Sequence, residues 1–213
     1  MVRKEMSPEV ARELELLRVP LTGLAGERLV RAYRSKWNII DRFVRMKESH
    51  LAGPLAELAE QDKEHISIVI PAIQAIGNIG GNASVIPTLG RFSTHKEPVV
   101  RHLVAEALGE TRSPTAVGNL ERLTLDRDKL VRFYAISALG KIRHETAVAA
   151  VGKALLANTD PKVRRAAVMA LNAQAMPMAI PHLKKAVEHE TDPETLATAK
   201  PILEHLKRRF GVK

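Results

Sequence analysis

A similar segment returns every 31 or 32 residues along most of this 213-residue chain, and that period constrains the fold more than any local pattern. Ala75-Ile76-Gly77, Ala107-Leu108-Gly109, Ala138-Leu139-Gly140 and Ala170-Leu171-Asn172 close four copies, their last residues 32, 31 and 32 positions apart. Eight residues before the last three ends an arginine follows a valine, as Val100-Arg101, Val131-Arg132 and Val163-Arg164. Four residues earlier comes an acid, Glu97, Asp128 or Asp160, and Asp192-Pro193 opens a fifth copy. The acid, twice followed by proline (Pro98, Pro161), is a helix start, because a carboxylate accepts from free first-turn amides and proline fits the first helical position. Gly77, Gly109, Gly140 and Asn172 read as stops in a left-handed conformation. Between start and stop, Val100, Val104, Ala107 and Leu108 form one apolar stripe, as do their counterparts in the next two copies.

A second helix follows in each unit, anchored at Leu89, Leu120, Val151 and Leu183. Two helices in about 31 residues cannot bury both apolar faces alone, so the units must stack into a solenoid. Pro71 and Pro201 fall inside helices and are expected to bend or divide them. The reading is one domain over residues 1–213: capping helices over 1–60, four clear repeats over 64–187 and a C-terminal cap over 188–213. In the N-terminal cap, a helix from Ser7-Pro8 precedes a longer one from Glu27 to Lys47, whose Leu29, Tyr33, Trp37, Ile40 and Val44 share a face.

Composition agrees with packing through small aliphatic side chains: 45% of residues are hydrophobic and only 3% aromatic. The absence of cysteine removes disulfides, thiolate metal sites and cysteine nucleophiles, and it suits a reducing compartment. The charged opening Met1 to Glu5 does not resemble a signal peptide, and the most apolar stretch, Ile66 to Ile76, is too short to span a bilayer. A cytoplasmic location is expected.

The repeats resemble HEAT repeats, and more narrowly the short units of the PBS-lyase HEAT-like family, which run Asp-Pro-x-Val-Arg-x-x-Ala-x-x-Ala-Leu-Gly. Asp160 to Leu171 matches that pattern almost throughout. The resemblance implies an all-α, right-handed superhelical solenoid of about five to six helical pairs. It carries no shared catalytic motif, since the family includes scaffolds, regulators and phycobilin-attachment subunits.

Against 24 acids stand 33 lysines and arginines, and the repeat sorts this surplus. Arg101, Arg132 and Arg164 each follow an acid by four residues, the spacing of an ion pair within a helix. Arg91, Arg122, Lys153 and Lys185 recur two residues after each second-helix anchor, and none has an acid four residues before it. Thr88, Asn119 and His182 share their face. If second helices line the concave surface, these cations form a column able to follow acidic side chains or phosphates, with Asp126 or Glu188 as possible counter-charges. A further basic stripe, Arg28, Arg31, Arg34, Arg42 and Arg45, lies opposite the apolar face of the Glu27–Lys47 helix.

The eight histidines show no ligand spacing, and no catalytic, cofactor or metal site is expected. The reading is therefore a non-catalytic binding or scaffold module that docks an acidic protein partner on a basic concave face. The alternative is a backbone-directed DNA- or RNA-binding protein, and a phycobilin-lyase-like enzyme subunit follows from resemblance alone.

Overall fold

Twelve α-helices and three single 3-10 turns account for the folded elements among the described residues, 7–80 and 82–212 of the computed structural model. Met1 to Met6, Gly81 and Lys213 lie outside them, and with them the charged opening. The helices are α1 (Pro8–Leu17), α2 (Gly26–Met46), α3 (Ala52–Gln61), α4 (Ile66–Asn78), α5 (Ile86–Phe92) and α6 (Pro98–Glu110). They continue as α7 (Val117–Leu123), α8 (Lys129–Gly140), α9 (Glu145–Ala157), α10 (Pro161–Gln174), α11 (Ala179–His189) and α12 (Pro193–Phe210). The molecule is an all-α repeat solenoid. None of its helices is long and apolar enough to cross a membrane.

Helix starts follow the sequence closely. Asp128, Asp160 and Asp192 cap α8, α10 and α12, accepting from the amides of Leu130 and Val131, Lys162, and Thr195. Glu97 is too long to do the same, and its own amide instead donates to His95 Nδ1 at 3.1 Å. The anchors Leu89, Leu120, Val151 and Leu183 are fully buried, each contributing about 1.5–3 kcal/mol of burial. One apolar cluster runs from Val10 to Leu206.

The repeat glycines do not stop helices. Gly77, Gly109 and Gly140 all lie inside or at the last turn of continuous helix, and none has a positive φ. They are sites of close helix approach: a Cβ on Gly109 would fall 2.7 Å from Ala138 Cβ, and one on Gly140 would fall 3.0 Å from Ala170. The left-handed residues come later, at Gly80, Arg112 and Ala175.

These approaches define two unlike rows. The Val-Arg helices α6, α8 and α10, preceded by α4 and continued by α12, form one row, in which Gly109 and Gly140 bring their helices almost backbone to backbone with the next. In the other row, α3, α5, α7, α9 and α11, side chains separate the neighbours: Asn119 lies against Gly90, and His182 against Gly152. Each helix of this wider row packs most extensively on the helix that follows it, so the Val-Arg helix is the second of its pair rather than the first. A stack with unequal spacing closes toward its tighter side, which makes the Val-Arg row the inner face.

α4 and α12 each run on through Pro71 and Pro201, so Pro201 does not divide its helix. Proline 71 cannot donate to the carbonyl of Ser67, four residues earlier. Trp37 Nε1 donates to that carbonyl instead, at 3.1 Å, joining α2 to α4. Trp37 is therefore a rim residue, 49% exposed, and the buried face of α2 is turned toward Lys36, Ile39, Ile40 and Phe43. Lys36 is 2% exposed; its ammonium reaches Asp62 Oδ2 at 2.6 Å and Leu17 O at 2.8 Å. Asp62, 1% exposed, also accepts from the amide of Leu21, so the pair pins the α1–α2 turn to the end of α3.

Candidate functional site

Arg101, Arg132 and Arg164 belong to the stack, but not through the acids four residues before them, since Asp128 and Asp160 are occupied as helix caps. Arg101 forms a two-bond fork with Asp126 at 2.7 Å for both bonds, and Arg164 does the same with Glu190 at 2.8 and 2.7 Å. Arg132 reaches the neutral Asn158 Oδ1 at 2.8 Å. The remaining terminal nitrogen of each guanidinium donates to two turn carbonyls: His95 and Lys96, Asp126 and Arg127, or Asn158 and Thr159. Each arginine thus ties the turn of one unit to the turn of the next. Burial pushes the Asp126 carboxyl up, but the bonds from Arg101 and the Asp128 amide outweigh it and hold it below the usual range. The Arg164 hydrogen bond likewise lowers Glu190, against burial.

The column Arg91, Arg122, Lys153 and Lys185 is exposed and lies in one row, but on the first helices of the pairs, α5, α7, α9 and α11. That is the wider row. Nor are all four cations free. Arg91 Nε meets Glu60 at 3.1 Å, with a further bond to Thr88 Oγ1 at 2.9 Å, and Lys153 meets Glu121 at 2.8 Å. Arg122 bonds the side chain of Asn119, while Lys185 has no ion pair among the described residues. The two surface pairs contribute about 0–1 kcal/mol each and exchange readily. His182 is half-buried over Gly152, and that burial, with the charge of Lys185, pushes its pKa down.

The stripe on α2 divides. Arg42 is held by Glu9 at 2.5 Å and Glu13 at 3.0 Å, and Arg45 by Asp41. Arg28, Arg31 and Arg34 are exposed and have no ion pair among the described residues.

The inner face carries a feature the repeat arithmetic missed. A groove of about 630 Å³ opens between α8 and α10 and extends to Thr198 of α12. Phe133 and Met169 stand in it, 38% and 51% exposed, with Lys141, Lys162 and Arg165 at its edges. Lys141 pairs with Glu110 at 2.5 Å and Arg165 with Glu194, whereas Lys162 has no ion pair among the described residues. Its signal in the sequence is a large apolar residue, Phe133, at an outward-facing register position.

A family model described as HEAT repeats matches residues 54–132 and 117–200. No curated protein matches the sequence. Among solved structures, an engineered protein is similar at 23% identity, covering 95% of this chain and 98% of its own, with a TM-score of 0.60. A designed armadillo repeat protein in complex with the peptide (KR)4 is similar at 20% identity, covering 93% and 99%, with a TM-score of 0.61. A computationally designed armadillo repeat protein for modular peptide recognition shares 19% identity, covering 92% and 98%, with a TM-score of 0.57. These likenesses concern the fold.

Proposed function

The chain belongs to the HEAT-repeat family, and from that premise we propose that it is a non-catalytic docking module for an acidic protein segment. The observation that carries this reading is the exposed cation recurring once per unit, at Arg91, Arg122, Lys153 and Lys185. Stacking consumes the other arginine ladder, whereas these four make only exchangeable surface contacts. A solenoid offers such a segment a row of equivalent positions, one per unit. A designed armadillo repeat protein of similar fold is in complex with the basic peptide (KR)4; this chain itself carries a surplus of lysine and arginine, which suits an acidic peptide instead.

The test replaces all four cations by glutamate and measures anisotropy of a labelled hexaglutamate peptide. Binding should be lost with the thermal melt nearly unchanged; undiminished binding would sink the proposal.

A second reading, backbone-directed nucleic-acid binding, is favoured by Arg28, Arg31 and Arg34, which have no ion pair among the described residues. It requires measurable affinity for duplex DNA at low salt that falls steeply as salt rises. No affinity at low salt eliminates it.

A further inference from the structure

The inner-face groove has a shape that the neighbouring units explain. Outward side chains of successive Val-Arg helices can be compared at two registers, one residue after the repeat arginine in the earlier helix and two residues after it in the later one. Between α6 and α8 the two are His102 and Tyr134, whose rings stack with centroids 4.8 Å apart at 24°. One unit on, between α8 and α10, the residues at the same two registers are Phe133 and Ala166. Phe133 stands at the register of His102, and its ring already meets Tyr134 of its own helix edge-on, with centroids 5.7 Å apart at 89°; across the gap the residue at the register of Tyr134 is only Ala166, which leaves the ring of Phe133 38% exposed. Ala170 and Ala173 keep the adjoining wall low, and the volume that Tyr134 fills in the preceding unit is here open. The groove is thus a vacant stacking slot.

Its edges carry charge of one sign. Lys162 is uncommitted among the described residues, and the pairs of Lys141 and Arg165 are with Glu110 and Glu194 of neighbouring helices. An aromatic guest would gain a ring–ring contact in addition to its area burial. Carboxylates beside it would meet the lysines.

We propose that this groove binds an acidic peptide segment presenting one aromatic side chain, which stacks on Phe133 while flanking carboxylates engage Lys162 and Lys141. This site lies on the opposite row from the column Arg91 to Lys185 and does not depend on it.

The test uses the full chain and a fluorescein-labelled peptide of four glutamates around a central tryptophan, read by anisotropy. Replacing that tryptophan by serine, or the glutamates by lysines, should weaken binding by about tenfold or more. Ala166→Tyr rebuilds the missing ring from within and should block the slot. Met169→Glu, at an exposed position, should weaken binding by about tenfold and keeps the test decisive if the first variant folds poorly. The four-site reversal of the column should leave the tryptophan-dependent part of the affinity intact. Equal binding of the serine peptide, unchanged binding by both groove variants, or loss of the tryptophan-dependent part on column reversal would each overturn the proposal. So would self-association of the wild type that Ala166→Tyr abolishes, since the occupant would then be a second copy.

Discussion

Gly109 and Gly77 occupy the same register, yet one position could take a methyl group and the other could not. A Cβ at Gly77 would meet Ala107 at 3.6 Å, an ordinary contact, whereas at Gly109 it would meet Ala138 Cβ at 2.7 Å. Gly109→Ala should therefore destabilise by about 1–3 kcal/mol through overpacking. Gly77→Ala should be neutral or stabilising by up to about 1 kcal/mol through helix propensity. Urea denaturation of the two variants checks this, and equal effects would refute the close-approach account. The sequence marks both glycines equally because it records the register but not the gap across it. The same limit explains the arginines: a four-residue spacing suggested partners within one helix, while the actual side-chain acceptors lie 25 or 26 residues ahead.

At the scale of elements, α2 shows how far amphipathicity reaches. Its helical extent was legible, but its orientation was set by two polar commitments, Trp37 to the carbonyl left free by Pro71 and Lys36 to Asp62. A lysine on a buried face looks like an error until its carboxylate, 26 residues away, is placed beside it. Lys36→Met leaves Asp62 buried without its cation and should cost about 3–5 kcal/mol, whereas the double change Lys36→Met with Asp62→Leu should recover much of the loss. Thermal melts of the single and double variants test it. Additive losses would show that the pair is not coupled.

For the whole molecule, the turn-to-turn arginine ladder makes stability depend on pH. Asp126 and Glu190 ionise more readily folded than unfolded, so their contribution is complete above the ordinary carboxylate range, about pH 4. It is lost as pH falls through their lowered folded values. The lowered pKa of His182 has the same sign: stability declines as pH falls below its ordinary value of 6.5. Urea midpoints measured from pH 7 downward should fall most steeply in the acid range. Asp126→Asn, though less stable at neutral pH, should show a shallower acid decline; an unchanged slope would remove that carboxylate from the account.

The sequence alone determined the repeat length, the helix starts, the buried anchors and the stacking of units into a solenoid. These depend on local propensity and on a period that every unit shares. The tertiary structure decided which row is inner, which cations are spent on the stack, and where a ring is missing between Phe133 and Ala166. Each of those depends on what stands opposite a residue in the next unit, and a side chain's neighbour across a helix gap is set by packing distance, which no single helix encodes.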